Sequence, residues 1–192
     1  MKKALYIDCC LRKNSRTKDL ADTFINELAG YEIEHLILED EDLKPLVGDF
    51  LESRQVLLEN NELNHPRFRY AYQFRDADLI IIAAPFWDLS FPALLKIYIE
   101  NISLDGITFT STENGLIGLC KASDMVYLTT RGGVYKYSEM EQATPYLKQL
   151  CPFFGIDNFH CIAADGMDIC GYDHEASLNK AKQDAIELAR TL

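Results

Sequence analysis

Apolar residues run along this chain in two rhythms. Short continuous runs at Ala4 to Ile7, Leu79 to Ala84, Asp124 to Thr130 and Phe159 to Ala164 are too brief for helices. Their aliphatic and β-branched content predicts strands buried on both faces, as in parallel sheets. Glu32 to Leu38 reads as a further strand with an acidic tail at Glu39 to Asp42. Between the strands, apolar positions recur at helical spacing. Leu20, Ala21, Phe24, Ile25 and Leu28 share one face of a helix from about Ser15 to Ala29, ended by Gly30. Leu94, Leu95, Tyr98 and Ile102 do the same after Ala93, and Leu178, Ala181, Ala185, Leu188 and Leu192 do so in a closing helix from about Asp173. Thr144 and Pro145 predict the cap and first position of a helix to about Phe153. Further helices are expected at about Gly48 to Asn60 and Arg67 to Asp76. In the latter region Phe68, Tyr70, Tyr72 and Phe74 exceed one narrow face and suit core, sheet covering or a subunit contact. Gly106 to Thr112 reads as extended, with a hairpin turn at Asn114-Gly115.

Five buried strands alternating with helices predict one doubly wound parallel α/β domain over residues 1–192, in strand order 2-1-3-4-5. In such sheets ligands sit outside the carboxyl ends of the strands, where the order reverses. The loops after Ile7 and Ala84 fall on the two sides of that crevice. The first leads, through Asp8 to Asn14, into a helix N-terminus with unpaired N–H groups and the positive end of a dipole, a ready anion site. Ser15 and Thr17 add hydroxyls and Arg16 a charge. The second is bracketed by Pro85 and Pro92 and exposes Phe86, Trp87 and Leu89, three large apolar groups suited to a flat ligand. Arg131-Gly132-Gly133 follows the Asp124 strand directly and permits close approach of main chain to a ligand.

Composition narrows the classes. A chain of 192 residues buries a full core without disulfides or metals. Net charge of −11 disfavours nucleic acid and anionic membrane as partners. Lys2, Lys3, Arg12, Lys13, Arg16 and Lys18 nevertheless crowd the first eighteen residues, either as solvated surface or as a local field for phosphate. MKKALYIDCC is neither a signal peptide nor a membrane span, so a cytoplasmic protein is expected. Six cysteines without metal-type pairing suit a reducing compartment and no metal site. There is no GxxxxGK[ST] and no GxGxxG. His160 and His174 have no partner spacing and read as structural or surface groups.

APFWDLSFPALLKIYIENI from Ala84, GITFTSTENG from Gly106 and TTRGG from Thr129 occur in the order and spacing of the FMN-dependent NADH azoreductase and quinone oxidoreductase family. The chain resembles that family over most of its length, least between about Asp40 and Tyr72. The resemblance implies a flavodoxin-like fold and an FMN cofactor near a homodimer interface, with NADH or NADPH as donor. It places Cys9, Ser15, Arg16 and Thr17 at the FMN phosphate and Pro85, Phe86, Trp87, Asp88 and Leu89 along the isoalloxazine edge. Thr130, Arg131, Gly132, Gly133 and Tyr135 fall on its pyrimidine side. Phe109 and Glu113 take positions near the active-site rim, with Phe109 and Trp87 as candidate substrate contacts. Cys9 and Cys10 stand where serines are common in the family, Asp88 where Asn is common and Tyr135 where His is frequent. A thiol is a weak donor, an ionised Asp only accepts, and a phenol does not become a cation near neutral pH.

The activity implied is hydride transfer from NAD(P)H to flavin N5, then two-electron reduction of a quinone or azo acceptor at the same stacking site, with ping-pong kinetics. No catalytic side-chain triad is required. An FMN-binding electron carrier of flavodoxin type and a flavin-free structural relative are the alternatives. A phosphoacceptor receiver domain of this topology would need an Asp after the third strand and a Lys after the fifth, where this chain has Pro85-Phe86 and Ala164-Asp165.

Overall fold

A computed structural model describes all residues from Met1 to Leu192. Strands β1 (Lys2–Asp8), β2 (Tyr31–Ile37), β3 (Leu79–Ala83), β6 (Asp124–Thr130) and β7 (Asn158–Ala164) form a sheet in the order β2-β1-β3-β6-β7. Every pairing in it is parallel. Counted along the sheet this is the expected 2-1-3-4-5 order, reversing between β1 and β3. The central strand β3 is buried along its whole length, and so reads LIIIA with no polar position. Edge strand β2 is mostly open, and so alternates charge with apolar residues.

Helices α1 (Arg16–Glu27) and α6 (His174–Ala189) cover one face, where Leu20, Ala21, Phe24, Ala181 and Ala185 meet Tyr6, Ile81 and Val126. Helices α3 (Arg69–Asp76), α4 (Ala93–Ile102) and α5 (Ala143–Phe154) cover the other, with Phe74, Tyr98, Leu147 and Phe154 against Leu5, Ile80 and Tyr127. Of the four aromatics before β3, Phe68, Tyr70 and Phe74 are core and Tyr72 is half-buried. Helix α2 (Gly48–Glu59) buries none of its residues, so its sequence lacks a sharp apolar face.

Three local expectations change. The Gly106 stretch turns before extending, and strand β4 spans only Phe109–Thr112, paired with β5 (Gly115–Gly118). Its turn residues are Glu113 and Asn114, one position earlier than expected, because Thr112 pairs with Gly115 and holds Asn114 N–H on its hydroxyl. Thr144 does not cap α5. The Glu141 carboxylate does so, accepting the N–H groups of Ala143 and Thr144 at 3.1 and 3.0 Å. No helix is long and apolar enough to cross a membrane.

Candidate active site

The crevice between β1 and β3 opens at the carboxyl end of the sheet into a cavity of about 310 Å³. Arg12, Asn14, Ser15, Arg16 and Thr17 line one side, Pro85, Phe86 and Trp87 another, and Thr130, Arg131, Gly132, Met167 and Asp168 the third. Each wall has a local cause. Ser15 is the N-cap of α1, its hydroxyl accepting Lys18 N–H at 3.2 Å. The N–H groups of Asn14, Ser15, Arg16 and Thr17 donate to no protein acceptor; those of Ser15, Arg16 and Thr17 are the orphan donors of a helix start, and that of Asn14 belongs to the loop before it. Thr17 is buried and its Oγ1 lies 2.7 Å from Oγ1 of Thr130, tying α1 to the end of β6.

The second wall is a tight turn. Trp87 and Ser90 exchange both backbone hydrogen bonds, at 2.9 and 2.8 Å, while Asp88 and Leu89 take φ of 49° and 67°. Positive φ at both central residues belongs to a type I′ turn and costs a branched residue such as Leu on the order of 1 kcal/mol. The strained turn is pinned from outside by Gln142 N–H donating to Leu89 O at 2.9 Å. Trp87 also receives the Arg12 guanidinium 5.6 Å from its ring centroid, so the two loops touch across the crevice.

The third wall rests on Arg131. Its side chain is 6% exposed, with Nη1 3.5 Å from Asp165 Oδ1 and Nη2 3.6 Å from Glu141 Oε1. Nη2 donates to Thr144 Oγ1 at 3.1 Å, and the guanidinium lies 5.7 Å from the Phe86 centroid. The N–H groups of Gly132 and Gly133 have no protein acceptor, while their carbonyls accept from Asp168 and Gly166 at 3.0 Å. Arg16 reaches across to the same loop, donating to Met167 O at 2.9 Å and Asp168 Oδ1 at 3.2 Å.

A family model described as flavodoxin-like fold matches residues 2–189. An FMN-dependent NADH:quinone oxidoreductase of Clostridium perfringens is 38% identical over 196 residues, spanning 99% of each chain. A second, from Clostridium acetobutylicum, is 38% identical over 199 residues and again 99% of each. The chain belongs to the FMN-dependent NADH:quinone oxidoreductase family. Its fold is that of solved azoreductases. One from Bacillus anthracis superposes with a TM-score of 0.88 at 24% identity over all of both chains. An FMN-dependent NADH-azoreductase of that organism, in complex with FMN, gives 0.86 at 23% identity over 100% and 99% of the two chains.

Within this oxidoreductase fold the residues singled out by sequence divide cleanly. Ser15, Arg16, Thr17, Pro85, Phe86, Trp87, Thr130, Arg131 and Gly132 share the cavity. Cys9 does not line it. Its N–H donates to Ala83 O at 2.8 Å, and its thiol is fully buried in the core, pushed up to about 12 by that burial. Asp88 and Leu89 sit outside the lining on the exposed tip of the turn. Tyr135 packs on Phe86, ring centroids 4.7 Å apart, and faces a larger open cavity of about 1020 Å³ on the far side of Arg131. Phe109 is at the opposite end of the sheet. It packs on Phe153 at 4.5 Å because the β4–β5 hairpin is seated on the last turn of α5.

The basic cluster also divides. Only Arg12 and Arg16 of the six line the cavity; Lys2, Lys3, Lys13 and Lys18 do not, Lys18 being paired with Asp8 at 2.7 Å and Lys2 reaching Tyr31. Asn14, Met167 and Asp168 join the site without having been anticipated. Only the rule that loops at strand carboxyl ends form sites pointed to the last two.

Proposed function

We propose that this chain is an FMN-dependent NADH:quinone oxidoreductase that also reduces azo compounds. The observation that carries the reading is the composition of the 310 Å³ cavity at the strand-order reversal. One side offers unpaired N–H groups at a helix start with Arg12 and Arg16, which fits a phosphate monoester. The other offers Phe86 and Trp87, which fits a flat aromatic ring. FMN, when bound, would supply the redox chemistry: hydride acceptance at N5 from NADH or NADPH and two-electron reduction of a quinone or azo acceptor, in a ping-pong cycle.

The chain's own residues bind, orient and exclude water. The N–H groups of Asn14 to Thr17, the Ser15 hydroxyl and the Arg16 guanidinium would hold the phosphate. The unpaired N–H group of Gly132 would meet the polar edge of the ring, and Phe86 and Trp87 would keep solvent from its apolar edge. Tyr135, packed on Phe86, brings a phenol to the outer side of that wall, and Asp88 puts a carboxyl group on the exposed turn. A homodimer is part of this reading. Leu116 and Ile117 on the hairpin are 56% and 52% exposed, and Val47 and Val56 at α2 are also open, giving apolar surface for a second copy. Six free cysteines suit a reducing cytoplasm.

The test is the visible absorbance of the purified protein with FMN added, followed by anaerobic NADH. A bound-flavin spectrum that NADH bleaches directly is expected. Failure to retain FMN, or bound FMN that NADH leaves unreduced, refutes the reading.

A further inference from the structure

Behind the anion cradle lies a charged cluster that the reading above does not use. Asp8 closes β1, and its side chain is 4% exposed. Three donors from three directions converge on it. Lys18 Nζ from the first turn of α1 is at 2.7 Å, Cys10 N–H from the start of the cradle loop at 2.9 Å, and His35 Nε2 from β2 at 3.1 Å. Tyr6 stacks on His35 with centroids 4.4 Å apart and walls off the group from below. Burial by itself would raise the Asp8 carboxyl. The bonds from Lys18, Cys10 and His35 outweigh it and hold the carboxyl below its usual range, so it is charged.

A buried carboxylate behind a phosphate site is a problem of sign. It lies at the root of the same loop whose cavity-lining residues carry the free N–H groups, and alone it would oppose an anion there. The structure answers with Lys18, whose ammonium sits on Asp8 and reaches Asp22 only at 4.0 Å. We infer that Asp8 and Lys18 are a positioning pair for the phosphate cradle: Asp8 fixes the loop through Cys10 N–H, and Lys18 cancels the charge that this fixing introduces.

Lys18 therefore serves phosphate affinity without being a phosphate ligand. It does not line the cavity, and its charge is taken up by Asp8. The inference rests on FMN being the occupant of the cavity. It predicts a pattern that neither a plain surface lysine nor a direct phosphate contact produces, because removing both members of the pair does less harm than removing the cation alone. In the double variant the amide oxygen introduced by Asp8→Asn still accepts Cys10 N–H, and no buried charge is left uncompensated.

The experiment titrates wild type, Lys18→Met, Asp8→Asn and the double variant with FMN and with riboflavin, which lacks the phosphate. Lys18→Met is expected to weaken FMN binding roughly three- to tenfold, the scale of one uncompensated charge near a partly solvated site. Riboflavin binding stays as in wild type. Asp8→Asn binds FMN at least as tightly as wild type, and the double variant returns to within about twofold of it, the coupling expected of a contacting pair. An unchanged FMN Kd in Lys18→Met overturns the inference. So does a double variant as weak as Lys18→Met, which would make Lys18 a direct cation for the phosphate. Equal losses for FMN and riboflavin also overturn it, as simple distortion of the loop. A wild-type protein that binds no FMN removes the functional reading and this inference together.

Discussion

Replacing Arg131 by Met is the most direct test of how the third wall is held. The guanidinium is 6% exposed and sits between Glu141 and Asp165, themselves 8% and 12% exposed. Methionine fills much of the volume but leaves both carboxylates in a poorly solvated place. Removing one partner of a buried pair costs about 3–5 kcal/mol, chiefly because the other charge stays behind. Here the survivors retain other donors. Glu141 keeps the N–H groups of Ala143 and Thr144, and Asp165 keeps Lys136 N–H at 3.0 Å. That places the cost at the low end, about 3 kcal/mol. For a chain of this size it is a fall in Tm of about 6–12 °C. Circular dichroism melts of the ligand-free protein measure it. The same variant should bind FMN more weakly, since Phe86 loses the cation over its ring and the Gly132-Gly133 loop loses its anchor. Adding Glu141→Gln and Asp165→Asn to Arg131→Met should recover most of the lost stability. Arg131→Lys should not, because a point ammonium cannot span both carboxylates and Thr144. A melt of Arg131→Met within about 2 °C of wild type would refute the argument, since it would mean that the two carboxylates are solvated after all.

Gly118→Ala should destabilise by about 2 kcal/mol or more. An added Cβ would lie 1.9 Å from Gly155 N and 2.0 Å from the Phe154 carbonyl carbon, backbone atoms that cannot step aside. A urea midpoint close to that of wild type would show that the hairpin is not seated on α5 as described. Asp124→Asn tests the pair with His160 at 2.8 Å. Burial pushes the Asp124 carboxyl up, but His160 and Ser123 outweigh it and hold it below the usual carboxylate range. Its folded pKa is thus below the unfolded one, so the pair's stabilisation is present above about pH 4 and is lost as pH falls through the folded value. Wild type should exceed the variant by about 1 kcal/mol near neutrality and match it at the acid end, and a constant gap across pH would contradict the linkage. Steady-state rates at several fixed acceptor concentrations should give parallel double-reciprocal plots against NADH. Intersecting lines would rule out a shared stacking site for donor and acceptor.

What the sequence determined by itself was whatever local physics enforces. The LIIIA run had to be a strand buried on both faces, a helix had to start near Ser15, and alternating strands and helices left one simple sheet order with its crevice between β1 and β3. Three motifs then carried the family, and with it most of the cavity wall. What only the tertiary structure decided was where side chains point and which charges remain free. Cys9, one residue past β1, turned its thiol into the core while its N–H paired with Ala83, so its position beside the loop did not make it part of the cradle. Phe109 followed its hairpin onto the far end of α5, because Gly118 and Gly155 permit a backbone contact that no residue pattern announces. Lys18 looked like one of six cations for a phosphate until β1 brought Asp8 beneath it, and nothing in the Arg131-Gly132-Gly133 run showed that Glu141 and Asp165 close on Arg131. Periodicity encodes burial along one element, whereas charge pairing and side-chain direction at a crevice depend on distances between elements far apart in the chain.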